Sequence, residues 1–153
     1  MNRRALLKST LGASVITVAA AAGLLLPGRV LAAYPKEAFS AKDVSSAVSG
    51  ALGAANPQQS DQIEIKAPDI AENGSVVPVT ISTELSNVES ISIFAESNGT
   101  PLVAVFNLSS ADAFVSTRIK MGKTGNVVAV VKSGGKLYSN SKEVKVTIGG
   151  CGG

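Results

Sequence analysis

Three patterns of apolar residues follow one another along this chain. Across residues 11–26 they run almost unbroken. Between residues 34 and 56 they recur three and four apart, at Phe39, Val44, Ala47, Val48, Ala51 and Leu52, which predicts one helix with an apolar face. Ser40 followed by Asp43 gives that helix a capping-box-like start. Asn56-Pro57 stops it, because the residue before a proline is driven out of helical backbone. From Gln62 onward the period falls to two, the spacing of a strand with one face buried.

The strand pattern can be followed to the end. Ile63 and Ile65 alternate with polar residues until Pro68. After a turn at Asn73-Gly74, Val77, Val79 and Ile81 share one face while Thr80, Ser82 and Glu84 share the other. Pro78 inside this run predicts an edge strand or a bulge, since proline cannot donate to a ladder. Ile91, Ile93 and Ala95 form the next strand, Asn98-Gly99 the next turn, and residues 102–108 another strand. Residues 114–121 set Phe114, Ser116, Arg118 and Lys120 against Val115, Thr117, Ile119 and Met121. Residues 127–131 are nearly all apolar, which suits burial on both faces. Gly134-Gly135 turns the chain into a short strand over 136–139, and Val144, Val146 and Ile148 make the last one, with Lys145 and Thr147 outward. Seven or eight short strands with no helical pattern between them predict a mainly β fold, an immunoglobulin-like antiparallel β-sandwich with an N-terminal helix. The intersheet disulfide and core Trp of many such domains are absent, so strand rhythm alone carries this reading, with a barrel as the alternative. No internal repeat or second domain is visible.

The first apolar run has a different meaning. Arg3 and Arg4 precede Leu6-Leu7-Lys8, the run of about 16 residues is short for a membrane span of about 20, and Val30-Leu31-Ala32 offers small or short residues for cleavage. Charged, apolar and cleavage regions in that order make a signal peptide, and the Arg-Arg pair resembles a twin-arginine export signal. The other readings are an ordinary secretory signal or an uncleaved anchor. The expected organisation is an export signal over 1–32, cut after Ala32 or Ala33, a helix-plus-sandwich domain over 33–148, and an arm over 149–153. Export by this route places the mature protein in the periplasm.

Removing the signal changes the charge. The 153-residue chain has formal charge +3. Arg3, Arg4, Lys8 and Arg29 leave with the signal, so 14 basic residues become 10 against 11 acidic ones, a formal charge of −1. No basic cluster remains to support nucleic-acid binding. The chain contains no histidine, which removes Ser-His-Asp and Cys-His nucleophilic sites and His-ligated metals. One cysteine cannot make a CxxC redox pair or hold an iron–sulfur cluster. Glu64, Asp69 and Glu72 lie close in sequence, but a solvated strand edge and loop explains them better than acid–base chemistry. Met121 reads as a core or interface residue before it reads as a thioether ligand. No cofactor is expected, and a self-contained enzyme finds no support.

That leaves Cys151, in the sequence Gly149-Gly150-Cys151-Gly152-Gly153. A buried cysteine packs like a small hydrophobe among side chains, and here the neighbours have none. A lone cysteine in an exported protein cannot form an intramolecular disulfide. It lies three residues beyond Ile148, so at about 3.3–3.6 Å per extended residue the sulfur can project on the order of 10 Å from the sheet. The pattern points to a covalent carrier: Cys151 holds a small group, and Gly149, Gly150, Gly152 and Gly153 form a slim, flexible swinging arm. No cation flanks the thiol within the tail, so activation is expected from a partner's pocket. The alternatives are an exported structural or adhesion-type sandwich cross-linked by a terminal intermolecular disulfide, and a thiol-dependent enzyme.

The tail from Val144 to Gly153 resembles the signature of the SoxY family, the sulfur-carrier subunits of the bacterial thiosulfate-oxidising Sox system. Ala67-Pro68-Asp69-Ile70-Ala71-Glu72-Asn73-Gly74 leading into Val76-Val77-Pro78-Val79, and Phe114-Val115-Ser116-Thr117-Arg118-Ile119-Lys120-Met121, resemble that family too. The resemblance covers essentially the whole chain. It implies an immunoglobulin-like fold and a heterodimer with SoxZ. It also implies that the haem enzyme SoxAX loads thiosulfate sulfur onto Cys151 as an S-thiosulfonate, that the manganese hydrolase SoxB releases sulfate, and that SoxCD, where present, oxidises the remaining sulfane sulfur. The carrier itself would hold no metal or haem.

Overall fold

A computed structural model describes residues 35–149, all within the second of two units, 1–34 and 35–153. The predicted signal and its cleavage site lie outside the described residues, as do Tyr34, Gly150, Cys151, Gly152 and Gly153.

The helical pattern yields two short helices, α1 (Lys36–Ser40) and α2 (Val44–Leu52), where one was expected. The chain turns extended at Ala41, and Asp43 caps α2 by accepting the Ser46 N–H at 2.8 Å. The cap is therefore Asp43, whose short carboxylate satisfies one of the orphan N–H groups of the new helix. Ser40 instead closes α1, donating its hydroxyl to the Glu37 carbonyl. The α2 stop also comes earlier than Asn56-Pro57: Gly53 adopts a left-handed φ of 78° and returns its N–H to the Ser49 carbonyl. The predicted apolar face survives these changes. Ala47 and Val48 are buried, with Phe39, Val44, Ala51 and Leu52 packed around them.

Among the described residues nine strands follow: β1 (Gln58–Gln59), β2 (Ile63–Lys66), β3 (Ile70–Asn73), β4 (Val77–Thr83), β5 (Val88–Ala95), β6 (Leu102–Asn107), β7 (Phe114–Ile119), β8 (Gly125–Ser133) and β9 (Lys136–Ile148). The larger sheet runs β1-β9-β8-β5-β6, with β3 also paired to β9, and the smaller runs β2-β4-β7. The fold is the expected mainly β, immunoglobulin-like sandwich. Most pairings are antiparallel, while β1 and β3 both run parallel to β9. Residues 136–148 form one continuous strand of 13 residues rather than two short ones. β4 is the central strand of its sheet, not an edge. Pro78 is tolerated there because β2 pairs only as far as Thr80, so at Pro78 only β7 lies alongside.

The two sheets close on Ile63, Val77, Val79 and Ile81 from one side and Ile91, Ile93, Val127, Ala129, Val131 and Val144 from the other. The opposite face of β5, β6 and β8 contributes Phe94, Leu102 and Val130 to a second cluster covered by Ala38, Ala47 and Val48 of the helices. This explains the nearly unbroken apolar run in β8: both faces of that strand are buried. Among the described residues no helix is long and apolar enough to cross a membrane.

Phe94, fully buried beneath the helices, is their principal seat on the sheet. Phe94→Ala is expected to lower stability by about 3–5 kcal/mol, read as a shift of the urea midpoint of the mature protein.

Candidate functional site at the end of the last strand

β9 leads toward the only cysteine, and its pairing changes hands on the way. β8 runs beside it from Lys136 to Val144, where Gly125 is the last partner. β3 begins at the next residue, pairing Ile70 with Lys145, Ala71 with Val146 and Asn73 with Ile148. On the side that β8 has left, the Thr124 hydroxyl accepts the Val146 N–H at 2.8 Å. The strand therefore keeps hydrogen-bond partners to its last residue.

The backbone of one residue, Gly74, ties that last residue to the segment that follows β7. The Gly74 N–H donates to the Ile148 carbonyl at 2.7 Å, and the Gly74 carbonyl accepts the Met121 N–H at 2.8 Å. Asn73 shapes this turn, its side chain accepting the Ser75 N–H. Met121 is fully buried in the core, as its sequence pattern predicts. Beyond it, Asn98 holds the 120–122 segment from both sides: its amide donates to the Lys120 carbonyl at 2.8 Å and its oxygen accepts the Gly122 N–H at 2.9 Å. Gly149 lies directly on that segment, and a Cβ there would fall on the Gly122 carbonyl oxygen. Close approach of two backbones is thus one reason for glycine at this position.

Of the predicted arm, Gly149 alone lies within the described residues. Cys151 follows two residues later, no more than about 7 Å of extended backbone away. Around this exit Ile148 and Val76 are exposed at 67% and 54%, and Lys120 and Lys123 are exposed beside Gly122.

The carboxylates noted in the sequence are dispersed. Glu64 pairs with Lys66 at 3.4 Å and accepts the Ser82 hydroxyl, Asp69 pairs with Lys142 at 3.0 Å, and Glu72 is exposed. The carboxyls held below their usual range sit elsewhere for structural reasons. The Ser46 backbone N–H lowers Asp43 at the α2 cap. The Gly135 N–H, then Lys132, lowers Glu89 at the β8–β9 hairpin. Among the described residues no group of three or more His, Cys, Asp or Glu is placed to hold a metal. What the geometry can do is hold a chain end firmly and let a thiol begin two residues beyond it.

Sequence reasoning missed β3, Thr124 and the side-chain role of Asn98. Ile70 is exposed and Ala71 is the lone buried residue of β3, so its strand has no apolar alternation to read. Asn98-Gly99 was visible as a turn, but nothing local says that Asn98 reaches 22 residues along the chain to Lys120.

The family model for the sulfur oxidation protein SoxY matches residues 48–151, a span that includes Cys151. The chain belongs to the SoxY family. It is also similar to the solved sulfur carrier protein SoxY from Chlorobium limicola f. thiosulfatophilum, at 46% identity and a TM-score of 0.64, over 72% of this chain and 97% of that one. A superoxide reductase (neelaredoxin) from Ignicoccus hospitalis aligns at 19% identity and a TM-score of 0.50, over 56% of this chain and 80% of that one, a likeness of fold alone. Comparison with curated proteins gave no match.

In this SoxY-family chain, Gly149→Ala forces the strand end off the Gly122 carbonyl. The expected cost is about 1–3 kcal/mol, with faster hydrogen exchange at the Gly74 and Met121 amides and no change at β5.

Proposed function

We propose that this protein is a periplasmic covalent sulfur carrier in thiosulfate oxidation, holding thiosulfate-derived groups on Cys151 and presenting them to partner enzymes. The observation that supports this most is the SoxY-family match running through the only cysteine, which follows by two residues a strand anchored to its end. The Chlorobium relative is itself described as a sulfur carrier. In this reading the chain acts as a carrier rather than a catalyst, without a metal or organic cofactor, in a heterodimer with SoxZ. SoxAX, SoxB and, where present, SoxCD are the enzymes it visits.

The Cys151 thiol and thiosulfate join through a new S–S bond, losing one proton and two electrons, which the haem enzyme SoxAX accepts. The product is the S-thiosulfonate anion. Water then attacks the terminal sulfonate sulfur in the SoxB hydrolase, the bond between that sulfur and the sulfane sulfur breaks, and sulfate leaves with the persulfide remaining on Cys151. This chain supplies the thiol, its slim glycine surroundings and a fixed point of departure. Thiol reactivity requires the thiolate, ordinarily formed near pH 8.5, and with no cation adjacent to Cys151 in sequence the enzyme pockets supply the activation.

Intact mass spectrometry of the native mature protein isolated from cells oxidising thiosulfate, where the electron-accepting enzyme is present, tests the reading. The expected result is a mass gain on Cys151 that reductant removes, abolished by Cys151→Ser with the melting temperature unchanged. A plain thiol throughout, or only a Cys151-linked homodimer, would favour the exported structural sandwich instead.

The Arg3-Arg4 pair supports export to the periplasm. Replacing both by Lys is expected to leave the protein in the cytoplasm as uncleaved precursor, read by fractionation and intact mass. Undiminished export would sink twin-arginine export.

A further inference from the structure

We propose that the surface around the β9 exit, with Ile148 and Val76 at its centre and Lys120 and Lys123 at its side, is a landing face for the entrance rim of each enzyme that acts on Cys151. The inference rests on the carrier reading and adds to it where the enzymes touch the carrier body.

Gly149 is seated on Gly122, and Ile148 is held by Asn73 and Gly74. Cys151 lies two residues on, so the backbone carries it at most about 7 Å from Gly149. An enzyme whose reacting atoms meet the Cys151 sulfur must therefore bring its own surface against the residues that surround Gly149. The carrier body cannot stand clear of it.

The residues found there suit such a contact. Val144, Val146 and Ile148 share one face of β9, and their exposure rises along it: Val144 is buried, Val146 half-buried and Ile148 67% exposed. The apolar stripe thus runs out of the core and ends in solvent at the exit. Val76, 54% exposed, sits in the turn whose Gly74 bonds Ile148. These are two of four large apolar residues exposed among the described residues. Polar side chains would serve equally well at this edge if water were its only neighbour, and apolar contact is the usual centre of an interface.

Charge narrows the partner. Lys120 and Lys123 flank Gly122 and, among the described residues, form no ion pair, and Lys145 lies three residues before Ile148 in the same condition. Glu72 is the carboxylate on the adjoining strand. The fitting occupant is a protein rim with apolar seats ringed by carboxylates. Complementary charge of this kind accelerates encounter and weakens with salt.

The test uses the full mature chain in its native complex, with thiosulfate and the periplasmic fraction of thiosulfate-grown source cells. Adduct formation on Cys151 is followed by intact mass over a range of carrier concentrations. The Val76→Gln/Ile148→Gln double variant is expected to raise the half-saturating carrier concentration about ten-fold, the loss of a modest apolar anchor, with the saturating rate within about two-fold of wild type. Lys120→Glu/Lys123→Glu is expected to raise it as well and to flatten its dependence on salt. Alkylation of Cys151 by iodoacetamide, which needs no docking, should proceed equally in all of them. If the Gln variant melts lower, Val76→Thr/Ile148→Thr keeps the β-branched shape and should show the same split. Unchanged half-saturation, a fall confined to the saturating rate, or loss of the companion subunit on purification would each overturn the landing face. Absence of any adduct on the wild-type protein would instead overturn the carrier reading.

Discussion

The backbone of Gly74 is the joint on which this molecule's working end depends. Its N–H holds Ile148 at the end of the large sheet, and its carbonyl holds Met121 just past the end of the small one. A β-sandwich is held together mainly by side chains between its layers, and those layers thin out at the ends. Here a backbone bridge closes the end where apolar burial runs out. Without it, the last residues of β9 would rest on β3 and one threonine hydroxyl, and strand ends with few partners open at little cost in free energy.

The rest of the fold stiffens that joint. β5 and β8 are buried on both faces, by the small sheet on one side and the two helices on the other. β8 is the antiparallel partner of most of β9, so the stiffness of the core is passed along the ladder as far as Val144. β3 then takes over residue by residue. Lys142 pins this changeover, donating to the Ala67 carbonyl at 2.6 Å while pairing with Asp69. The parallel run of β3 on β9 therefore carries order past the point where the sandwich core ends.

Much of this was legible in the sequence because burial leaves a period. Val77, Val79, Ile81 and Val115, Ile119 announced one inner face, and Val127 to Val131 announced a strand covered twice. The readings that failed were those set by distant partners. Ser40 followed by Asp43 was read as a capping-box-like start of one helix, but the chain turns extended at Ala41 and Asp43 itself caps the second helix. Pro78 signalled an edge correctly in its own neighbourhood, since β2 stops before reaching it, yet the strand as a whole is central. β3 has one buried side chain and is defined by its hydrogen bonds to β9, which no local pattern encodes. At the site, the glycines and Cys151 were conspicuous as residue types, whereas the contact between Gly149 and Gly122 depends on two segments that meet only in the fold.

That contact separates roles that the Gly-Gly-Cys-Gly-Gly pattern merges. Gly149 has a structural reason to lack a side chain, because the Gly122 carbonyl occupies the space. Gly150 and Gly152 lie beyond the mount, and in the carrier reading their reason is the narrow passage Cys151 must enter. The same division bears on how the thiol is activated. Even a lysine charge held about 10 Å from the sulfur in water would favour the thiolate by only about 0.4 kcal/mol, and salt would reduce that further. So the lysines beside Gly122 are too weak a source of activation at such a range, while they are well suited to attracting an acidic surface. In this reading recognition belongs to the fixed end of the strand and reactivity to the pocket that receives the cysteine. A carrier built this way keeps its thiol quiet between partners, because the charge and desolvation that would make it reactive are met only after docking.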